Sequence, residues 1–271
     1  MTLYRRFDRF DRGLHAVLIV SFLGLSLTGL PLLFSESVWA GRLARLLGGV
    51  YAAGIIHRVS AVLLMGVFVA HLARVGRRLV IDRDLSVVWG PMSMTPQPRD
   101  ARDLFNHVKW FLGLGPRPRF GRYTYWEKFD YFAVFWGMAI IGGTGLMLWF
   151  PTLFARAVPG WLFNIATLIH GEEALLAVGF IFTVHFFNTH MRPEKFPMDP
   201  VIFTGRITEE ELREERADEY DRLLAEGRLE GLAVGPAPAW VMPVARVVAV
   251  VAVTIGFAIV ALIVQIGRAH V

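Results

Sequence analysis

The chain has 271 residues, 55% of them hydrophobic and 13% aromatic, with a mean hydropathy of +0.48, a formal charge of +5 and a pI near 9.9. That is too apolar for a soluble domain and long enough for several spans, so the expectation is a polytopic membrane protein. The absence of cysteine excludes disulfides, iron–sulfur clusters, thiolate chemistry and c-type haem attachment. The positive charge is expected of membrane-protein loops, and there is no basic face for a nucleic acid.

Leu14–Phe34 holds no Asp, Glu, Lys or Arg, and its 21 residues suffice to cross about 30 Å of hydrocarbon. Val38-Trp39-Ala40 loosely fits a signal cleavage site, but the apolar run exceeds the ~7–15 residues of a signal core, so a span is predicted. Ile55–Gly76 is the second span. In the loop after it, Asp103–Leu112 sets Leu104, Phe105, Val108, Trp110 and Phe111 among polar residues and reads as an interfacial helix. Pro91, Pro96, Pro98, Pro116 and Pro118 make its flanks irregular. Tyr131–Phe150 and Leu168–His190 are the third and fourth spans. Thr208 and Glu211 then form a capping box opening a charged run, Thr208–Arg228, expected as a solvated surface helix. Val247–Gly267 is the fifth span, and no repeat of fixed period is visible.

Arg5, Arg6, Arg9 and Arg12, the stretch Arg74–Lys128 and the stretch Arg192–Arg228 are rich in Arg and Lys. The Phe34–Ile55 and Phe150–Leu168 connections hold only Arg42, Arg45 and Arg156. The positive-inside rule therefore predicts a cytoplasmic N-terminus and an outer C-terminus. The expected fold is an all-α membrane protein, a bundle of five transmembrane helices. Three segments are expected: 1–190 as a four-helix core, 191–240 as a cytoplasmic loop with its charged helix, and 241–271 as the fifth span with a short outer tail.

His57 and His71 lie 14 residues apart in one span, and His170 and His185 lie 15 apart in another. Each spacing nearly closes four helical turns, putting the imidazoles on roughly one face about 21–22 Å apart. An ionisable group within hydrocarbon is costly and marks function by default, although any single histidine is equally explained by an interhelical hydrogen bond. The second and fourth spans run in the same direction, so the two pairs meet at two matched depths. Facing imidazoles on a helix pair are the geometry of bis-histidine haem ligation, whereas structural zinc wants four ligands at one depth. The helical phases miss by about 40° and about 60°, which a helix crossing or a π-bulge would absorb. His15 at the start of the first span and His190, five residues beyond His185, are further candidate ligands. Two haems are expected, and three if all six histidines ligate. His107 and His270 read as ordinary surface residues.

The chain resembles the di-haem cytochrome b subunits of formate dehydrogenases and nickel–iron hydrogenases. The matching stretches are the Arg-rich 5–12 leading to Leu14-His15, Leu27-Thr28-Gly29-Leu30-Pro31-Leu32, and Ile56-His57-Arg58. They continue with Gly121-Arg122-Tyr123-Thr124-Tyr125-Trp126-Glu127-Lys128, Thr144-Gly145-Leu146-Met147-Leu148-Trp149-Phe150-Pro151, and Leu168-Ile169-His170 through His185. The resemblance covers residues 1–190. It implies that His57 and His170 hold the outer haem and His15 and His185 the inner one, with a quinone site near the inner haem. His71 departs from that pattern. The 14 and 15 spacings are also similar to those of the cytochrome b of quinol-oxidising complexes, which would pair His71 with His185.

Arg58, and Arg74, Arg77 and Arg78 beyond His71, are placed to meet haem propionates, although positive-inside charge explains most of the latter three. Glu172 and Glu173 are candidate proton acceptors for a quinol, or else an acidic helix start. Asn188 and His190 are candidate contacts for a quinone carbonyl. Gly66, Gly179, Gly137, Gly142, Gly143 and Gly145 read as sites of close helix packing. The leading expectation is an electron-transfer subunit of a quinone-linked oxidoreductase in the bacterial inner membrane. It would carry electrons through haem b between quinone and an outer-face partner: a cytochrome c, an iron–sulfur protein or a dehydrogenase subunit. The alternatives are a non-redox membrane anchor or proton or substrate transporter, and a stand-alone oxidoreductase of a small substrate such as superoxide.

Overall fold

The computed structural model describes residues 2–269, so His270 lies outside the described residues. The chain is 72% helical. It opens with β1 (Leu3–Arg5), α1 (Arg9–Leu33), α2 (Val38–Leu46), α3 (Val50–Val80) and α4 (Pro98–Phe111). A π-helical stretch, Met138–Gly142, joins α5 (Tyr125–Gly137) to α6 (Gly143–Trp149), and α7 (Pro151–Phe154) follows. α8 (Trp161–Phe180) continues through two further π-helical stretches, Ile181–His185 and Phe187–Met191. The remainder is α9 (Val201–Thr204), β2 (Arg206–Thr208), α10 (Glu209–Glu215), α11 (Ala217–Ala225), β3 (Ala233–Val234) and α12 (Val241–Ala269).

Among the described residues, five helices are long and apolar enough to cross a membrane: Arg9–Leu33, Gly49–Val80, Tyr125–Trp149, Trp161–Met191 and Val241–Gln265. Each predicted span is present and begins earlier than hydropathy alone places it, and in two of them the polar first turn is closed by capping. The Asp11 amide donates to the Asp8 carboxylate (2.9 Å) at the start of α1. Thr124 and Glu127 form a capping box at the start of α5, the Thr124 amide donating to Glu127 Oε2 (2.7 Å).

The described residues divide into two compact units. One comprises the N-terminal stretch to Arg12 with His71–Val134 and Pro200–Met242. Its centre is a three-stranded antiparallel sheet in the order β2-β1-β3, with Tyr4 opposite Ile207 and Ala233. Tyr4, Val201, Ile207, Leu212, Tyr220, Leu223 and Leu229 form its buried cluster. The sheet is absent from the sequence expectation, since strands of two or three residues more than 200 positions apart leave no hairpin signal.

The expected single helix over 208–228 is corrected. Its capping box is present, the Glu211 amide donating to Thr208 Oγ1 (3.1 Å). The helix breaks at Arg216 (φ −130°, ψ 43°), whose guanidinium grips Glu127 through both ends (2.9 and 2.8 Å). Nor is this segment merely solvated: Leu212, Glu219, Tyr220 and Leu223 are buried. Glu219, 2% exposed, bridges the guanidiniums of Arg6 and Arg122. Arg122 also donates to the Arg6 carbonyl (2.6 Å), and Arg6 to the Arg122 carbonyl. A buried ion pair is stable only when its remaining donors are satisfied, and these reciprocal backbone bonds meet that need.

The predicted interfacial helix is α4, extended back to Pro98 and held by Lys128, whose ammonium lies 2.9 Å from the Asp100 carboxylate. His107 is not an ordinary surface residue: its ring stacks on Phe111 (4.5 Å, 21°) and packs against Trp110, Phe120, Tyr125 and Trp126, with Nδ1 3.0 Å from the Tyr125 hydroxyl. The aromatic partners come from three stretches of chain, so its own neighbourhood in the sequence conceals them.

The other unit comprises Gly13–Ala70, Phe135–Asp199 and the chain from Pro243 onward. Leu30 of α1, Val178, Phe182 and Phe186 of the fourth span and Ala252 and Ile259 of α12 form its buried cluster. Gly256 is required there, since a Cβ would come within 2.7 Å of Phe182. The close-packing reading fails for Gly66, Gly143 and Gly179, where a Cβ would meet nothing within 4 Å. At Gly137 and Gly142 it would touch only Ile141 and Met138 on the same span, one turn on or back. Helical phase alone does not reveal which glycines face a neighbour. Gly29 and Gly145 do.

Candidate metal centre

Four helical segments of the second unit converge on His57 and His170. α3 carries His57 and α8 carries His170, and their ring centroids lie 6.4 Å apart with planes inclined by 68°. Each ring is held by the preceding span. Thr28 on α1 donates its hydroxyl hydrogen to the Gly24 carbonyl (2.6 Å), the back-bond a helical threonine makes. With that hydrogen committed, its oxygen accepts from His57 Nδ1 at 3.0 Å. Thr144 on α6 repeats the arrangement, donating to Ile140 O (2.6 Å) and accepting from His170 Nδ1 (3.2 Å). His170 Nδ1 also lies 3.0 Å from the Ile141 carbonyl, which can only accept. The polarity of these bonds makes Nδ1 the protonated nitrogen in both rings and leaves Nε2 with its lone pair, the form that binds metal.

A glycine follows each threonine. A Cβ on Gly29 would lie 3.2 Å from His57 Cε1, and one on Gly145 would lie 3.0 Å from His170 Cε1. Thr28-Gly29 and Thr144-Gly145 therefore form two equivalent cradles, a hydroxyl to orient the ring and a missing side chain to let it lie close. Two imidazoles on one iron, with bonds of about 2.0 Å and about 1.1 Å from nitrogen to ring centre, would have centroids about 6.2 Å apart. The observed 6.4 Å agrees with that width. Among the described residues no group of three or more His, Cys, Asp or Glu could hold a metal ion. A metal between these two rings would need further ligands, and the equatorial nitrogens of a porphyrin are one set that would supply them.

The remaining candidate ligands separate. His15 lies on α1, in the same unit as His185. His185 closes the π-helical stretch Ile181–His185. Such a stretch adds one residue to a turn, which accounts for a spacing of 15 in this span against 14 in α3. His190 has Nδ1 3.2 Å from the Pro197 carbonyl and its ring 5.1 Å from Phe186. His71, in the other unit, hydrogen-bonds through Nε2 to the Tyr131 hydroxyl (2.8 Å), with ring centroids 5.5 Å apart.

Arg58, next to His57, sets its guanidinium 5.9 Å from the Trp149 ring. Glu173 accepts from Trp136 Nε1 (3.1 Å), while Glu172 is exposed. The Asn188 amide donates to Val184 O (3.0 Å). Arg74 is held by Asp8 and by Asp11 (3.1 Å), and Arg78 by Asp84, so these two cations have carboxylate partners of their own.

Thr28, Gly29 and Thr144 had no assigned role in the sequence, and Gly145 was read only as a helix-packing glycine. A signal was present: Thr28-Gly29-Leu30, Leu32 and Phe34 recur in the same order as Thr144-Gly145-Leu146, Leu148 and Phe150. Each copy precedes a span whose histidine it holds, 29 and 26 residues on. No protein-family model and no curated protein matches this sequence.

Proposed function

We propose that the protein is an integral membrane b-type cytochrome that carries electrons between the quinone pool and a redox partner on the outer face. The observation that carries this reading is the His57–His170 pair, 6.4 Å between centroids with both Nδ1 atoms committed. Bound between them, haem would supply one-electron exchange. His57 and His170 would hold it, Thr28 and Thr144 would keep both rings in the ligating tautomer, and Gly29 and Gly145 leave the rings room to seat. Arg58 is the cation offered to a propionate.

The inner haem belongs to His15 and His185. What favours that pairing over His71 with His185 is that His15 and His185 belong to the same compact unit, whereas His71 belongs to the other and is bonded to Tyr131. His190, with Nδ1 on a carbonyl as at His170, is the histidine suited to a third haem or to a quinone carbonyl, with Asn188 beside it. Glu173 and Glu172 are the carboxylates available to take a quinol proton. The basic stretches 5–12, 74–128 and 192–228 support an inner-membrane orientation with the N-terminus in the cytoplasm. The outer partner is a cytochrome c, an iron–sulfur protein or a dehydrogenase subunit, and the chain acts as the electron-transfer subunit of that complex.

Haem quantitation and reduced-minus-oxidised spectra of the purified protein test the proposal. Two b-type haems per chain are expected. A folded, haem-free chain from haem-replete cells would overturn it.

A further inference from the structure

The unit built on the β-sheet contains a cavity of about 250 Å³ that the electron-transfer reading does not use. Six arginines line it: Arg5, Arg6, Arg74, Arg78, Arg122 and Arg228. Three carboxylates line it with them, Asp8, Asp11 and Glu219, so the lining carries an excess of three positive charges. Those carboxylates have set tasks: Glu219 bridges Arg6 and Arg122, while Asp8 and Asp11 hold Arg74. Arg78 and Arg228 are paired from outside the lining, by Asp84 and Glu226, with side chains 42% and 57% exposed. Exposed pairs of that kind contribute little and exchange readily for a better anion.

We propose that this cavity binds a phosphoryl group, either the headgroup phosphate of an anionic phospholipid or a free phosphate. Three features favour a phosphoryl group over a single carboxylate. The charge excess exceeds one, guanidinium forks match phosphate oxygens bidentately, and Arg6 and Arg122 are already locked in place by each other's carbonyls. A basic pocket beside membrane-spanning helices is also where acidic lipid headgroups are recognised.

The test compares the whole protein with its Arg5→Gln/Arg228→Gln variant, which leaves the Arg6–Glu219–Arg122 knot intact. Thermal stability is read in detergent against inorganic phosphate and pyrophosphate, with chloride and sulfate at matched ionic strength as controls. It is read separately in nanodiscs of phosphatidylglycerol and of phosphatidylcholine, and far-UV circular dichroism checks that the variant folds. A rise in melting temperature with phosphate or pyrophosphate beyond sulfate, reduced at least tenfold in apparent affinity by the variant, supports the site with a free anion as its source. A rise confined to phosphatidylglycerol and lost in the variant supports it with lipid as its source. Equal responses to sulfate and phosphate together with indifference to lipid, or a folded variant that responds as the parent does, would overturn it.

Discussion

At His57 and His170 polar groups leave water as neutral rings. Each is anchored on one side by a hydroxyl or carbonyl and turns a bare nitrogen to the other. At Arg6, Glu219 and Arg122 polar groups leave water as full charges, and they meet chiefly one another, with the Tyr123 hydroxyl accepting from Arg122 Nε (3.3 Å). The difference separates a binding arrangement from a structural one. A site that takes a ligand keeps one valence open, whereas an ionic brace must close all of them, because an unmatched buried charge costs several kcal/mol. The two regions are therefore expected to fail differently.

The largest effect is expected at the histidines. His57→Ala or His170→Ala should remove one haem per chain and leave the other, whereas His71→Ala should leave the haem count unchanged. Loss of haem from His71→Ala alone would return the inner ligand to α3. In the ionic brace, Glu219→Ala strands two guanidiniums and should destabilise the protein by about 3–5 kcal/mol, with no change in the spectrum of the haem that remains bound. Denaturation in detergent measures the first and difference spectroscopy the second, and a spectral change with unaltered stability would reverse the contrast.

Smaller effects sharpen the cradle. Gly145→Ala places a methyl 3.0 Å from His170 Cε1 and should cost about 1–3 kcal/mol with weakened haem retention, while Gly66→Ala, with nothing within 4 Å, should be near neutral. Thr28→Val removes the acceptor seen at His57 Nδ1 and should weaken haem binding about 10–100-fold, with a shifted midpoint potential. Thr144→Val should do less, because the Ile141 carbonyl remains for His170. Equal losses at the two threonines would refute the polarity argument.

The smallest effect is a pH dependence in the ionic region. The hydrogen bond from Arg74 outweighs burial and holds the Asp8 carboxyl at about 2. At Glu219 burial pushes upward, but Arg6 and Arg122 outweigh it and the carboxyl titrates below its ordinary range. A depressed folded-state value means stabilisation that is complete above the unfolded value of about 4 and lost as pH falls through the folded one. Stability should therefore decline from about pH 4 toward pH 2. Asp8→Asn should remove no more than about 1 kcal/mol of it, since that pair is 32% and 45% exposed.

Hydropathy alone sufficed for the five spans, because about 20 uncharged apolar residues have few other uses. That His57 and His170 would meet was also anticipated, since histidines stand out in apolar spans, and their rings lie 6.4 Å apart. The phase misfit of the histidine spacings left a helix crossing or a π-bulge open, and a π-helical stretch ends at His185. The capping box at Thr208 was readable because its two partners are three residues apart. Everything needing a distant partner was hidden. β1 pairs with strands about 200 residues away, Arg216 breaks its helix to reach Glu127, and His107 gathers rings from three stretches. The Tyr131 partner of His71 also lay beyond the sequence, because phase along a helix says which face a ring occupies and not which neighbour meets it. Local spacing and hydropathy are properties of the chain itself. Tautomer, ring contact and charge pairing depend on atoms that only the packed helices bring within 3–4 Å.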